Sequence, residues 1–198
     1  MIRSLAAATL LAIASTVTSA DELPITRVFA APALNGPVPK GVQIAPDGVL
    51  VTYLKPEPED QTTFDLWERP VKGGKETLLV EGSKVEPKDT VLSEVEKSRR
   101  ERERTAGEHG VIDYKWDGVG TQILIPASGD LYLANAKTGA VRKVGETAGG
   151  ASDAKISPKG GYVTYVRDQN LHALDIKSGR DVAITTEGKD ILSFGTAE

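Results

Sequence analysis

The sequence predicts an all-β chain: a partial β-propeller of about two to three four-stranded blades with one charged α-helix inserted between them. Three observations predict it. A tight turn feeding an alternating strand occurs three times along the chain. The second and third copies are about 40 residues apart, the period of a four-stranded blade. Between the first and second copies, residues 92–105 carry acids and bases at helical spacing.

The first twenty residues read as a leader. Arg3 supplies a positive start, 5–17 an apolar run, and Thr18-Ser19-Ala20 a small-residue cleavage site, so the mature chain is expected to begin at Asp21. The apolar run is shorter than the ~20 residues that span a bilayer, and no later segment is long and apolar enough. There is no cysteine, hence no disulfide and no lipid-modified cysteine. The expectation is a signal peptide at 1–20, a Sec-type route to the periplasm or the extracellular medium, and no membrane partner.

The three repeats follow. Ile44-Ala45-Pro46-Asp47-Gly48 leads into VLVTYL, Trp116-Asp117-Gly118-Val119-Gly120 into TQILIP, and Ile156-Ser157-Pro158-Lys159-Gly160 into GYVTYV. Each is followed by a second strand pair around a glycine turn, at 65–80, 129–145 and 169–185. A propeller is a ring, and two to three blades cannot close one. Residues 21–198 are therefore expected to be the N-terminal part of a longer propeller, with an apolar blade face and strand edge left open near 170–185 that favour self-association. A small open β stack or compact sandwich is the alternative that alternating strands alone leave standing.

The inserted helix starts at a capping box, Ser93 with Glu96. Glu96 stands before both Arg99 and Arg100 in the favourable acid-before-base order, and Gly107 and Gly110 are expected to stop the helix. From 92 to 105 there is almost no apolar stripe, so its neighbour must be polar. On its own ion pairs such a short helix is expected to be exposed and marginal.

Composition excludes other classes. The net charge is −4, and the basic residues concentrate in the helix among acids, so no nucleic-acid partner is expected. Lys137-Thr138-Gly139 and Ser152-Asp153-Ala154-Lys155 match short motifs of penicillin-recognising enzymes, but in reversed order. The first aligns with Lys177-Ser178-Gly179, which reads as a turn. His109 and His172 have no partner at ligand spacing, so neither a metal nor a cofactor is expected, and His172 reads as a hydrogen-bonded or exposed strand residue. Trp67, Trp116 and Tyr132 read as packing residues.

Three segments in order, LSEVEKSRRERER, GVIDYKWDGVGTQILIPASGDLYL and SPKGGYVTYVRDQNLHALDIKSGR, cover most of 92–180. In series they resemble the bacterial dipeptidyl peptidase IV family of the prolyl oligopeptidase clan of serine peptidases, and 42–80 is similar to that family's first blade. The resemblance implies an N-terminal propeller over an α/β-hydrolase domain, releasing Xaa-Pro dipeptides from a homodimeric full-length enzyme. It also implies a glutamate pair on the substrate's free α-amino group, an arginine on its carbonyl, and a Ser-Asp-His triad. Two carboxylates select an unblocked N-terminus, and a guanidinium orients a carbonyl.

The chain departs from that pattern. The glutamate pair should follow a segment resembling Gly195-Thr196-Ala197-Glu198 by a few residues, and Glu198 matches the residue before it. The triad and its α/β-hydrolase domain have no counterpart in these residues. The expectation is therefore a propeller portion that gates substrate and recognises its N-terminus, without catalytic residues of its own. The resemblance implies one substrate-binding arginine from the helix, with Arg100, Arg102 and Arg104 as candidates. The alternative is an exported β-repeat protein that binds peptide or a protein partner without chemistry.

Overall fold

Each repeat folds into a four-stranded antiparallel meander. The computed structural model describes residues 23–30, 33–57, 60–148 and 150–195. The expected signal peptide at 1–20 and Thr196-Ala197-Glu198 lie outside the described residues. Residues 1–31 and 32–198 form two units. In the first, a single helical turn, α1 (Ile25–Val28), closes with the Arg27 N–H on the Pro24 carbonyl at 2.9 Å.

The second unit holds the blades. Blade 1 orders β1 (Lys40–Ile44), β2 (Leu50–Pro56), β3 (Thr63–Pro70) and β4 (Thr77–Val80). Helix α2 (Glu94–Glu103) follows, then β5 (His109–Gly110). Blade 2 has β6 (Lys115–Trp116), β7 (Gln122–Ala127), β8 (Asp130–Asn135) and β9 (Val141–Lys143). Blade 3 has β10 (Ser152–Ile156), β11 (Tyr162–Arg167), β12 (Asn170–Asp175) and β13 (Asp181–Ala183). The blade count is three, the upper end of the expected range. β5 was not foreseen: after the helix the chain pairs parallel to the start of β3, adding a fifth strand to the first sheet.

The feeder turns share one hydrogen-bond plan. The N–H groups of Ala45, Asp117 and Ser157 donate to the carbonyls of Leu50, Gln122 and Tyr162, five residues on, at 2.8–2.9 Å. At Asp117 and Ser157 the side chain then accepts from the two N–H groups entering the next strand, a local acceptor that favours a turn over a ladder. Ala45 has no such acceptor, and Asp47 does the work from within the turn, accepting from the Val49 N–H at 2.9 Å.

Alternation along the strands decides how the sheets stack. Ile123 and Ile125 on β7, with Ala134 on β8, join Leu54, Leu66 and Val80 in a core between blades 1 and 2. Leu124, Leu131 and Leu133 point the other way and meet Val163, Tyr165 and Leu174 in a core between blades 2 and 3. A period of two thus gives blade 2 two apolar faces, each covered by a neighbour. Trp116 and Tyr132 pack on the first of these cores as expected, and Trp67 is half-buried with the Lys55 ammonium 4.9 Å from its ring.

The outer turns repeat as closely. Asn135 Oδ1 accepts from the Lys137 and Thr138 N–H groups, and Asp175 Oδ1 from those of Lys177 and Ser178. The Lys-Thr-Gly stretch is therefore a turn, as its alignment with Lys177-Ser178-Gly179 predicts.

Candidate functional site

Helix α2 begins as its sequence dictates. Ser93 is the N-cap, and its hydroxyl accepts from the Glu96 N–H at 3.3 Å. Its end differs from expectation. Neither Gly107 nor Gly110 stops it: Arg104 turns left-handed (φ 60°), and the Thr105 N–H folds back on the Arg100 carbonyl at 2.8 Å. The local signal missed this because a left-handed C-terminus usually recruits glycine.

The helix is also not the exposed, marginal element that its pattern suggests. Arg100 is fully buried, Glu86 is fully buried, and Glu96 is 3% exposed. Arg100 Nη1 donates to Glu86 Oε1 at 2.8 Å and to the Glu108 carbonyl at 2.9 Å, and Nη2 donates to Glu86 Oε2. Its Nε donates to Glu96 Oε1 at 2.7 Å. Glu86 takes a further bond from Ser128 Oγ at 2.6 Å, and Ser128 sits at positive φ in the β7–β8 turn of blade 2. One guanidinium therefore ties α2 to the segment after blade 1, and through Glu86 to blade 2. Hydrophobic periodicity cannot reveal this, because the buried face of the helix is ionic.

The ionic chain continues outward. Arg99 donates to Glu96 through Nε at 2.9 Å and Nη2 at 2.6 Å, and to Glu103 through Nη1 at 2.6 Å. Burial alone would push the Glu96 carboxyl up, but Arg99 and Arg100 outweigh it and hold the group below the ordinary carboxylate range. Burial likewise works against charge on Arg99, and Glu96 with Glu103 overcomes it. Arg99 and Glu103 border a polar cleft of about 70 Å3, which Asp113, Lys115, Ser152 and Asp153 also line.

The three candidate arginines thus have unlike surroundings. Arg100 has four donor contacts made and no exposure. Arg102 and Arg104 are exposed and form no ion pair with a carboxylate among the described residues. Sequence reasoning missed Glu86 and Ser128, which lie outside the helix, and gave Arg99 no role beyond its pairing with Glu96. Nothing in the local pattern marks a carboxylate between Val85 and Pro87 as the helix's counter-charge.

Neither histidine forms a nucleophile–base pair. His172 stacks on Tyr165 with centroids 5.3 Å apart, and its Nδ1 lies 3.1 Å from Asp181 Oδ2, so it is the hydrogen-bonded strand residue expected. His109 Nδ1 faces Glu86 Oε1 at 3.6 Å, beyond hydrogen-bond reach. Ser152 Oγ donates within blade 3, to the Val166 carbonyl at 3.4 Å. Among the described residues no group of three metal-ligating side chains is gathered.

Comparison with known proteins agrees with this architecture. The family model of the dipeptidyl peptidase IV (DPP IV) N-terminal region matches residues 120–198, which hold β7–β9 of blade 2 and the four strands of blade 3. The crystal structure of Porphyromonas gingivalis dipeptidyl peptidase 4 is 17% identical, with a TM-score of 0.50 over 76% of this chain and 20% of that one. TolB from Acinetobacter baumannii is 13% identical over 76% of this chain and 33% of that one, with a TM-score of 0.49. This chain thus spans about a fifth of the length of the P. gingivalis enzyme it matches. The fold is a partial β-propeller, and the resemblance read from the sequence holds over residues 120–198.

Proposed function

We propose, from the match of residues 120–198 to the dipeptidyl peptidase IV N-terminal region, that the chain supplies the N-terminal propeller portion of an exported serine exopeptidase releasing Xaa-Pro dipeptides. The match across β7–β9 of blade 2 and the four strands of blade 3 is the observation that carries this reading. In it, the propeller gates the substrate and helps select its free N-terminus, and catalysis belongs to an α/β-hydrolase domain. The leader at 1–20 directs the protein to the periplasm or beyond.

Within this reading the helix arginines divide by what they can spare. A guanidinium already holding two carboxylates and a carbonyl would have to abandon buried charges to reach a substrate, at a cost of several kcal/mol. Arg100 therefore positions the helix, and Arg102 or Arg104 contacts the peptide carbonyl. Ala-Pro-p-nitroanilide tests the proposal. The 198-residue chain should show no turnover sensitive to a serine-directed phosphonate, and a form carrying the hydrolase domain should show it. In that form Arg102→Ala or Arg104→Ala should lower kcat/KM by ~10-fold, about 1.4 kcal/mol of transition-state binding. Phosphonate-sensitive turnover by the shorter chain, or none by the longer form, would overturn the assignment.

A further inference from the structure

Helix α2 is held from blade 1 on both of its sides. On the entering side the Asp65 carboxylate accepts from the Gly82 N–H at 2.7 Å, and the 3-10 turn Gly82–Lys84 delivers Glu86, whose N–H donates to the Gly82 carbonyl at 3.0 Å. A Cβ at Gly82 would lie 2.1 Å from the Phe64 carbonyl oxygen, so this segment runs directly against β3. On the leaving side the His109 and Val111 N–H groups donate to the Thr62 and Phe64 carbonyls at 2.8 and 2.9 Å. Blade 2 reaches the helix by another route. Its Ser128 hydroxyl donates to Glu86 Oε2 at 2.6 Å, the carboxylate oxygen that also takes Arg100 Nη2.

Ser128 does not suit its own turn. Ala127 faces Asp130 across the ladder, so Ser128 and Gly129 form a two-residue loop, and their φ angles of 53° and 77° are those of a type I′ turn. Such a turn favours Asn, Asp or Gly, and blade 3 follows the preference with Asp168 at φ 49° in the same place. A serine with left-handed backbone carries strain that a glycine would not. The neighbour explains the choice. An aspartate here would set a second carboxylate against the fully buried Glu86, and a glycine would withdraw a donor from it. A local rule broken in favour of a distant partner is a mark of function.

From Glu86 the contacts run on along the helix. Arg100 joins Glu86 to Glu96, and Arg99 joins Glu96 to Glu103 in the last turn, between the exposed Arg102 and Arg104. Blade 2, through Ser128, therefore checks any tilt of α2 about its blade 1 attachments. We propose that Ser128 is a positioning residue for substrate binding: its hydroxyl, acting through Glu86 and Arg100, fixes α2 in the orientation from which Arg102 or Arg104 meets the peptide carbonyl. This role rests on the peptidase reading above and adds to it a residue of blade 2 that touches no substrate. A shift of ~1 Å at a positioning group can cost ~100-fold in rate, so one hydrogen bond is enough to matter.

The form carrying the hydrolase domain, assayed on Ala-Pro-p-nitroanilide, tests this role. Ser128→Gly relieves the turn and removes the donor, so circular dichroism should show a folded protein while KM rises ~5-fold and kcat stays within ~2-fold. Ser128→Asn suits the turn and keeps an N–H donor, and should return KM to within ~2-fold of the parent. Combined with whichever of Arg102→Ala and Arg104→Ala lowers kcat/KM, Ser128→Gly should add less than ~2-fold, because the arginine it orients is already gone, whereas a purely structural loss would multiply the two effects. Amides of 94–103 should exchange ~10-fold faster in Ser128→Gly, with those of β8 unchanged. A parent that turns the substrate over, with KM unchanged in Ser128→Gly, would overturn the Ser128 role alone, as would multiplying effects or equal exchange. A parent without phosphonate-sensitive turnover, or neutral substitutions at both arginines, would overturn the peptidase reading's substrate contact and this role with it.

Discussion

Replacing Arg100 by Met keeps the length of the side chain and removes its charge from a site with no solvent. Four donor contacts disappear: two to Glu86, one to Glu96 and one to the Glu108 carbonyl. Glu96 keeps Arg99, and the Glu108 carbonyl lies nearer the surface. Glu86 suffers most, because it is fully buried and retains only the Ser128 hydroxyl as a hydrogen-bond donor. Removing one partner of a buried pair costs ~3–5 kcal/mol, mostly the penalty on the charge left behind. Against a typical total of ~5–15 kcal/mol for a domain, that is a large fraction. Urea unfolding followed by tryptophan fluorescence should show a loss of this size, with amides of 94–103 exchanging faster than those of β11. Adding Glu86→Gln to Arg100→Met should restore part of the loss, since the stranded charge is gone, and the double-mutant coupling should reach ~2 kcal/mol. If Arg100→Met unfolds within ~0.5 kcal/mol of the parent, like an ordinary surface substitution, the buried-clamp account is wrong.

Two further predictions rest on close approaches and on burial. A Cβ at Gly139 (φ +66°) would lie 1.9 Å from the Leu79 carbonyl oxygen of blade 1, whereas one at Gly179 (φ +71°) would meet nothing within 4 Å. Gly179→Ala should cost only the left-handed backbone penalty of ~1–2 kcal/mol, and Gly139→Ala should cost ~1–3 kcal/mol more in urea midpoint as the blades are pushed apart; equal losses would contradict the inter-blade contact. Tyr114 is 1% exposed, with its hydroxyl donating to the Gly41 carbonyl at 2.7 Å; burial pushes it from the ordinary 10.0 up to about 12, and burial followed by Glu76 does the same to Tyr53. The fold favours the neutral phenols, so their contribution is complete below about pH 10 and is lost as pH rises toward about 12. Stability should therefore fall between about pH 10 and about pH 12, less steeply in Tyr114→Phe, and an unchanged slope in that variant would assign the alkaline loss elsewhere.

The blades were legible because their information is local. The glycine turns, the Asx acceptors at Asn135 and Asp175, and the period of two along β7 and β11 act over a few residues, and each dictates a conformation before any partner arrives. Ser93 marked the start of α2 for the same reason. What only the tertiary structure decided depends on residues far apart in the chain. The charged helix looked solvent-facing because an ionic buried face has no apolar period, and its counter-charge, Glu86, lies fourteen residues upstream of Arg100. The strand β5 formed because α2, once fixed, returns the chain beside β3. Tyr53 and Tyr165 meet Glu76 and Asp181 only because register placed those carboxylates beside their phenols. Short-range geometry is written in the order of residues, whereas the pairing of buried charges depends on which segments the folded backbone brings within a hydrogen bond of each other.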